Sequence, residues 1–321
     1  MNSIYKDAII GYSGLIGKNI LKKKKFKNKY NSKNIKQIRN KNFNLLVCAG
    51  APGSMLLANK KPKQDLNNIN NLIRNLKKVK ANNFILISTI QVFSNIENKN
   101  FETTKKLFNN KAYGKNRRIL EKFCQKNFNN CLIVRLPSVF GDFLIKNFIY
   151  DLTNPMPKIL IKQKMIRIQS VLKPQNFNEI KKIYYKKNNL YHLDYNKFLK
   201  NPLKKEIIKE FKENNILSTS FTNVNSKFQF YYLDNIWKDI NLALKNKIKT
   251  IHLATEPVKA NLIHKKFLKK EMKKNDAKIY RANMVTKFSY LWGLKKNYIQ
   301  NKKQVLKNLE KYFKKHENFN I

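Results

Sequence analysis

The amino-acid sequence predicts an α/β fold with a doubly wound parallel sheet and a smaller, mostly helical lobe. Over residues 1–152, short apolar runs alternate with longer polar segments of helical period, which is the pattern of strands and covering helices in βαβ units. The stretch GYSGLIG (11–17) joins the first apolar run to the first helical segment, as in Rossmann-like folds. Apolar residues make up 42% of the 321 residues, enough to bury a large core.

Each predicted strand is a short apolar run, and each predicted helix is a longer segment with apolar residues on one stripe. The strands of the first half are 7–10, 25–30, 45–49, 84–88 and 131–136. The helices between them are 15–23, 62–80 and 113–127. Pro62 fits the first turn of its helix, where its missing N–H has no partner to lose.

The sequence changes character after Gly141, where residues become rich in Lys, Asn and Tyr with scattered prolines. This composition predicts a mostly helical lobe. Sheet-like and helical patterns then resume at 228–233, 234–244, 250–254, 259–272 and 302–315. We therefore expect a dinucleotide-binding domain at 1–152, a substrate lobe at 153–226, a return to the Rossmann sheet at 227–256 and a C-terminal helical segment at 257–321.

The formal net charge of +49 raises nucleic acid as a partner. Nearly all of this charge is lysine spread along the chain, with only seven arginines, whereas bidentate phosphate and guanine contacts favour arginine. Lys, Asn, Ile and Phe have A/T-rich codons, so base bias explains the composition without a specific nucleic-acid partner. Polyanion binding and long-range attraction of anionic substrates stay open as alternatives.

The cysteines Cys48, Cys124 and Cys131 have neither CxxC nor Cys/His metal spacing. They indicate reduced thiols and no metal site, as expected of a cytoplasmic protein. No run of about 18 uninterrupted apolar residues occurs, so we expect no membrane insertion.

The glycine-rich stretch lies where a dinucleotide would bind. Gly11 allows a tight turn after the strand, Gly14 lets backbone N–H groups approach a pyrophosphate, and Gly17 lets helix and strand pack closely. The spacing is Gly-x-x-Gly-x-x-Gly, which leaves two residues between the first glycines. The predicted cofactor contacts of this turn are Gly11, Ser13, Gly14, Leu15, Ile16 and Gly17.

The second predicted strand ends in Tyr30, Asn31, Ser32 and Lys33, and no Asp or Glu occurs from Ala8 to Gln64. Sites that prefer NAD usually hold the adenosine ribose with a carboxylate here. A neutral or cationic rim gives NADP a slight preference over NAD. The alternative is that Asn31 or Ser32 bonds the ribose of NAD.

Three further residues carry possible chemistry. Thr89 ends the strand at 84–88, at the edge where open α/β sheets bind ligands. Tyr113 and Arg117 share one helix face at spacing i and i+4. A fixed cation there lowers the pKa of a tyrosine toward the range useful for proton transfer. The alternative is that Tyr113 only packs and that Thr89 is an ordinary strand-end hydroxyl.

Together these segments resemble the extended short-chain dehydrogenase/reductase superfamily, in particular the NAD-dependent epimerase/dehydratase family that modifies nucleotide sugars. The resemblance covers most of the chain. Its motifs are GYSGLIG (11–17), VCAGAP (47–52), STIQVF (88–93), YGKNR (113–117), VRLPSVFG (134–141) and FQFYYLDNIWKDI (228–240).

The resemblance implies that Tyr113 is the general acid/base and that Thr89 hydrogen-bonds the reacting oxygen. Arg117 stands where the family has a lysine, so it would lower the pKa of Tyr113 and contact the nicotinamide ribose. Arginine has a different donor geometry and cannot release a proton, which puts a lysine-type proton relay in doubt. Further cofactor contacts implied by the resemblance are Ala49, Gly50, Ala51, Ser88 and Pro137.

The resemblance also narrows the reaction. Dehydratases of the family carry Thr-Asp-Glu where this chain has Thr89-Ile90-Gln91, so dehydration is disfavoured and epimerisation or carbonyl reduction remains. The implied role is in surface polysaccharide biosynthesis, and the alternative is a non-catalytic NAD(P)-binding module. Helices flanking such sheets commonly pair, which allows a homodimer. Besides Thr89, the candidate substrate contacts are Lys146 and Asn147, with an ordinary helix surface as the alternative. Phe228 stands where many relatives have a phosphate-binding arginine, so that contact is lost or passes to Lys227.

Overall fold

The computed structural model describes residues 6–105 and 111–316. Its strands are β1 Ala8–Ile10, β2 Asn28–Tyr30, β3 Asn42–Cys48, β4 Lys80–Thr89, β5 Cys131–Leu136, β6 Ser138–Phe140, β7 Ile159–Leu160, β8 Tyr184–Lys187, β9 Leu190–Leu193, β10 Lys227–Phe228, β11 Phe230–Tyr232, β12 Thr250–His252 and β13 Val258–Lys259. Its α-helices are α1 Leu15–Leu21, α2 Met55–Lys60, α3 Pro62–Leu76, α4 Ala112–Asn127, α5 Phe148–Asp151, α6 Lys162–Val171, α7 Pro174–Ile183, α8 Tyr195–Leu199, α9 Lys204–Glu213, α10 Ile236–Lys245, α11 Ala260–Leu268 and α12 Lys302–Lys315.

The predicted α/β fold class is confirmed by a six-stranded sheet in the order β12-β5-β4-β3-β1-β2. Every neighbouring pair in it is parallel. From β1 the chain first adds β2 on one side and then crosses to add β3 on the other side. The strand order therefore reverses between β1 and β3, and open α/β sheets bind ligands outside the carboxyl ends of the strands at this point.

Both faces of the sheet are covered, because alternate residues of a strand point to opposite faces. On one face Ile10 and Leu86 pack with apolar residues of α3 and α4. On the other face Ile9 and Ile85 pack with apolar residues of α1 and α10. The strands are consequently apolar on both sides, which is why they read as continuous apolar runs in the sequence.

The chain divides into two compact units, which are described separately. The first comprises 1–144, 228–257 and 281–312 and contains the six-stranded sheet; the second comprises 145–227, 258–280 and 313–321. The second unit has its own apolar core, formed by α6, α7, α9 and neighbouring segments. It also contains an antiparallel sheet in the order β7-β9-β8, which the sequence analysis did not predict.

The cysteines Cys48, Cys124 and Cys131 are free and buried. Burial raises the pKa of Cys48 to about 11 and that of Cys131 to about 12, so both thiols stay protonated and pack as small apolar side chains. In the described ranges no helix has the length and apolar character needed to cross a membrane. The same ranges contain no group of three or more His, Cys, Asp or Glu side chains arranged to hold a metal ion.

Candidate active site

Gly11 begins the turn after β1, where the backbone conformation and contacts within the protein exclude a side chain. Its φ of 83° lies in the left-handed region, and a Cβ atom there would lie 2.3 Å from the carbonyl oxygen of Ala49. The Gly11 N–H donates to the carbonyl oxygen of Tyr30 at 2.7 Å. The first turn is thereby fixed between the carboxyl ends of β2 and β3.

The other two glycines of the turn differ in what surrounds them. A Cβ atom at Gly17 would lie 2.1 Å from the carbonyl oxygen of Gly11, so α1 packs directly on the turn. At Gly14 the nearest atom to a Cβ would be the same oxygen, at an ordinary 3.4 Å. Gly14 also has an unstrained φ of −80°. Packing within the chain requires glycine at 11 and 17 but leaves room for a side chain at 14.

The remaining predicted cofactor residues lie around this turn and along the same edge of the sheet. Ser13 and Gly14 are exposed, whereas Leu15 and Ile16 are half-buried at the start of α1. Ala49, Gly50 and Ala51 directly follow β3, and all three are half-buried. Pro137 follows the carboxyl end of β5 and is buried.

The end of β2 forms a closed polar turn. The Asn31 N–H donates to Oδ1 of Asn34 at 2.7 Å, and Oδ1 of Asn31 accepts from the Lys33 N–H at 2.9 Å. Ser32 and Lys33 are exposed at its tip. Oδ1 of Asn31 is thus engaged in its own turn, and a cofactor contact by Asn31 or Ser32 stays a prediction.

Thr89 and Tyr113 come together at the carboxyl end of β4. Thr89 is the last residue of β4, and its hydroxyl accepts from the Gln91 N–H at 3.2 Å. Tyr113 lies in the first turn of α4, where its backbone N–H donates to Oδ1 of Asn59 on α2 at 3.0 Å. A hydrogen bond joins the side chains of Thr89 and Tyr113. Two hydroxyl groups therefore converge at the edge of the sheet.

The guanidinium group of Arg117 lies over one face of the Tyr113 ring, with its central carbon 4.0 Å from the ring centroid. Nη1 of Arg117 donates to the Asp65 carboxylate at 2.5 Å and to the Tyr113 carbonyl oxygen at 3.3 Å, and Nη2 donates to the carbonyl oxygen of Pro52. Asp65 also accepts from Nδ2 of Asn116 at 2.8 Å. The structure thus brings Thr89, Tyr113 and Arg117 together and adds Asp65, which the sequence analysis missed.

As expected, Arg117 acts to lower the pKa of Tyr113, but this effect does not bring the pKa below its ordinary value. Burial raises the pKa of Tyr113 above its ordinary value. The charge of Arg117 and the hydrogen bond from Thr89 oppose this rise, and the nearby Asp65 carboxylate adds to it. The cost of desolvating a phenolate is the largest of these effects, and the Asp65 carboxylate offsets part of the Arg117 charge.

Ser88, a predicted cofactor contact, belongs to a buried ionic network in the core. Its hydroxyl donates to Glu121 at 2.6 Å. Glu121 also accepts from Arg118 at 2.8 Å and from Arg135 at 2.9 and 2.8 Å. Burial alone would raise the pKa of Glu121, but Arg135 and the other donors hold it below its ordinary value. The single hydroxyl proton of Ser88 is thereby directed into the core, and a cofactor contact by Ser88 stays a prediction.

The same network continues to His252 at the end of β12. Nη1 of Arg135 lies 3.2 Å from Nε2 of His252, and Nδ1 of His252 lies 2.8 Å from the carbonyl oxygen of Val285. A guanidinium only donates and a carbonyl only accepts, so the geometry assigns a neutral ring with its proton on Nδ1. Burial lowers the pKa of His252 to about 4, in agreement with this neutral form.

The second unit carries the other candidate substrate residues. The pKa of Lys146 is lowered, first by burial and then by the charge of Lys158. Oδ1 of Asn147 caps α5 by accepting from two backbone N–H groups, at 3.0 and 3.3 Å, and Asn147 has a φ of 110°. Lys227 is exposed, and its backbone N–H donates to the Tyr280 carbonyl oxygen at 2.7 Å. Asn147 therefore has a structural role in helix capping, and a substrate contact by any of the three stays a prediction.

Comparisons of the sequence found no match, whereas comparison with solved structures found similar proteins. No protein-family model matches the chain, and no curated protein matches it either. Among solved structures, dTDP-4-dehydrorhamnose reductase from Bacillus anthracis in complex with NADP is similar at a TM-score of 0.59 and 15% identity, covering 98% of this chain and 100% of that one. The chain has the fold of the extended short-chain dehydrogenases/reductases.

Nucleotide-sugar epimerases of this superfamily are equally similar. UDP-glucuronic acid 4-epimerase from Bacillus cereus, a point mutant in complex with a fluorinated UDP-sugar and NAD, has a TM-score of 0.60 at 14% identity and covers 98% of this chain and 100% of that one. UDP-N-acetylglucosamine 4-epimerase from Bacillus cereus has a TM-score of 0.57 at 14% identity, covering 97% and 99%. The predicted resemblance is therefore confirmed for the fold, which reductases and epimerases share.

Proposed function

We propose that this protein is an NAD(P)-dependent oxidoreductase or epimerase that acts on a nucleotide-activated sugar. The observation that carries the proposal is the Thr89–Tyr113 hydroxyl pair at the carboxyl end of β4, on the same edge of the sheet as the carboxyl ends of β1 and β3, between which the strand order reverses. Structures with this fold include a reductase and epimerases whose substrates are dTDP- and UDP-sugars. These substrates motivate the further proposal of a role in surface polysaccharide biosynthesis.

Gly14 supports a dinucleotide at the turn. The protein leaves space for a side chain there, so a requirement for glycine must come from a ligand that approaches the backbone, as a pyrophosphate does. Residues of the turn and of the segment after β3 would hold the cofactor, which supplies or accepts a hydride when bound. Gly14→Ala should therefore weaken NADPH binding at least about tenfold without lowering the melting temperature.

Gly17→Ala is the matched control for that experiment. Its Cβ atom would overlap the Gly11 carbonyl group, so this variant should lose stability even without cofactor. Equal NADPH affinity in Gly14→Ala and the unchanged protein, measured by fluorescence titration, contradicts the proposed cofactor site.

Catalysis would depend on the two hydroxyl groups. Thr89 would hydrogen-bond the carbonyl or alcohol oxygen of the sugar, and Tyr113 would donate a proton to that oxygen or accept one from it. Arg117 would keep the Tyr113 ring in place from below. Tyr113→Phe removes the transferable proton while it keeps the ring, so turnover should fall by at least about a hundredfold.

The assay for this prediction is NAD(P)H oxidation or reduction with a panel of dTDP- and UDP-sugars, including 4-keto sugars. Tyr290→Phe is the control, because the Tyr290 side chain is 66% exposed. NADPH affinity should be unchanged in both variants. Undiminished turnover in Tyr113→Phe would contradict the role of Tyr113, and tight NADPH binding with no turnover on any sugar would favour the non-catalytic module.

We also propose that NADP is preferred over NAD. Ser32 and Lys33 are exposed at the end of β2, and a cation at this rim attracts a 2′-phosphate. Lys33→Glu should weaken NADPH binding about tenfold and leave NADH binding nearly unchanged. Equal effects on both cofactors would contradict the preference. The homodimer and the cytoplasmic location expected from the sequence stay predictions, and light scattering of the purified protein tests the first of them.

A further inference from the structure

Asp65 and Arg117 form a buried ion pair between α3 and α4. Their exposed fractions are 4% and 3%, and Nη1 of Arg117 lies 2.5 Å from the Asp65 carboxylate. Asn116 donates to the same carboxylate oxygen at 2.8 Å. These bonds and the ion pair hold the Asp65 carboxylate and Nη1 of Arg117 in place, whereas the buried Nε of Arg117 has no hydrogen-bond partner among the residues that the structure describes.

The pair places the guanidinium against the Tyr113 ring. The guanidinium carbon lies 4.0 Å from the ring centroid, and the donors Nη1 and Nη2 are also tied to backbone carbonyl oxygens of Tyr113 and Pro52. Acceptors on α3, on α4 and at Pro52 thus hold the guanidinium group of Arg117 against the Tyr113 ring. This arrangement is specific to arginine, because a lysine ammonium has neither the planar shape nor the fork of donors.

The pair also sets the electrostatic surroundings of the Tyr113 hydroxyl. In the described ranges, two charged groups act on it: Arg117 on its own helix and Asp65 on α3. Strand β4 adds the uncharged hydroxyl of Thr89, and α2 adds the amide of Asn59, which bonds the Tyr113 backbone. The Asp65 charge offsets part of the Arg117 charge, and burial has the largest effect on the ionisation of Tyr113.

We propose that Asp65 is a positioning residue that acts through Arg117: it anchors the guanidinium beneath Tyr113 and offsets its charge, so that Tyr113 enters the reaction as a protonated acid. This inference rests on the proposed function and narrows it to carbonyl reduction. A bound reduced dinucleotide would supply the hydride for the new C–H bond at the carbonyl carbon, and the C=O π electrons would pass to the oxygen. That oxygen takes the Tyr113 proton, and solvent reprotonates the phenolate.

An epimerase or an alcohol dehydrogenase first oxidises a hydroxyl group of its substrate, so it needs Tyr113 as a base in that first step. Because Asp65 offsets part of the Arg117 charge, a phenolate in this site is less stabilised than it would be beside an unpaired cation. The geometry therefore favours a substrate that arrives as a ketone or aldehyde, which a preceding oxidation or dehydration of a sugar must supply.

The test reads the ionisation of Tyr113 directly, without a substrate. Protein labelled with 13C at Cζ of tyrosine is titrated by NMR, and the Tyr113 resonance is identified by its loss in Tyr113→Phe. In Asp65→Asn, which keeps the shape and an acceptor oxygen, the Tyr113 midpoint should fall by about one pH unit because the Arg117 charge is no longer offset. The exposed Glu97 provides the control variant Glu97→Gln, which should not move it.

A double variant keeps the test decisive if Asp65→Asn does not fold. Asp65→Asn with Arg117→Gln removes both charges and leaves no unpaired buried ion, so its Tyr113 midpoint should lie at or above that of the unchanged protein. An unshifted or raised midpoint in Asp65→Asn, or a lowered one in the double variant, overturns the inference. A merely structural role would lower the melting temperature without moving the midpoint.

Turnover supplies the second readout. With a 4-keto nucleotide sugar and NADPH, the rate should decline at high pH as Tyr113 loses its proton, and Asp65→Asn should move this decline to lower pH by the same amount as the NMR midpoint. Epimerisation of a sugar alcohol by the unchanged protein with retained NAD would overturn the reductive direction. Absence of turnover on every sugar would count against the proposed function while the NMR titration still decides the role of Asp65.

Discussion

Helix α4 takes part in two buried ion pairs that serve different parts of the molecule. Arg117 pairs with Asp65 and stacks on Tyr113, whereas Glu121, about one turn later, pairs with Arg135 and receives the Ser88 hydroxyl. The first pair touches a candidate acid/base, and the second lies wholly within the core. Burial of a charge pair is therefore not by itself a sign of a catalytic role. Contact between the pair and a reactive group such as Tyr113 is the feature that indicates one.

Breaking the core pair should have the largest effect on stability. Glu121→Gln leaves the Arg135 charge buried without a counterion, so the free energy of unfolding should fall by about 3–5 kcal/mol. Arg135→Met combined with Glu121→Gln removes both charges and should recover part of this loss. Urea unfolding measures both. A loss below 1 kcal/mol in the single variant would show that solvent reaches Arg135, contrary to its 2% exposure.

The far end of the core network makes stability depend on pH. His252 has a folded pKa of about 4 against an ordinary 6.5, so between these values the unfolded chain binds a proton that the folded chain does not. Stability should fall as the pH drops from 6.5 toward 4, by up to about 3 kcal/mol. His252→Gln, which can still donate to Val285 and accept from Arg135, should flatten this part of the profile.

The control for that experiment is His264→Gln. The His264 side chain bonds the Lys270 carbonyl oxygen at an exposed position, so this variant should keep the pH profile of the unchanged protein. Comparing variants at each pH cancels the general repulsion expected of a chain with a net charge of +49. Identical profiles for His252→Gln and the unchanged protein would contradict the buried neutral imidazole.

Surface pairs should show the smallest effect. In the run of lysines after α1, Lys23 pairs with Asp234 at 2.7 Å and Lys24 with Asp7 at 2.8 Å. Lys23→Gln should reduce the free energy of unfolding by only about 0.5 kcal/mol, and salt should reduce the difference further. A loss as large as that of Glu121→Gln would remove the contrast between buried and exposed pairs.

The sheet was predictable because its strands are buried on both faces and so appear as apolar runs. Its less apolar parts were not: β4 begins at Lys80, four residues before its predicted start, because its first residues are polar and partly exposed. Helix α2 was missed because it has only six residues, and three of its apolar side chains, beginning with Met55, are exposed. The small sheet of the second unit escaped because its strands are short and rich in polar residues.

Part of the site was equally accessible from the sequence. The glycine turn and the i, i+4 spacing of Tyr113 and Arg117 are local patterns, so they could be read directly. The pairing of Arg117 with Asp65 joins residues 52 positions apart, and no local feature marks Asp65 as its partner. The direction of the Tyr113 pKa shift depends on that pairing and on burial, both of which only the folded chain determines.

The imidazole of His252 gives the core network a direction. Arg135 donates to Nε2, and Nδ1 donates onward to the Val285 carbonyl oxygen, so hydrogen-bond donation runs one way from β5 through β12 to Val285. A second proton on the ring would make Nε2 a donor as well, so that it would face the Arg135 N–H group without an acceptor between them. The network therefore requires the neutral Nδ1–H tautomer of His252, and protonation of the ring at low pH should break its contact with Arg135.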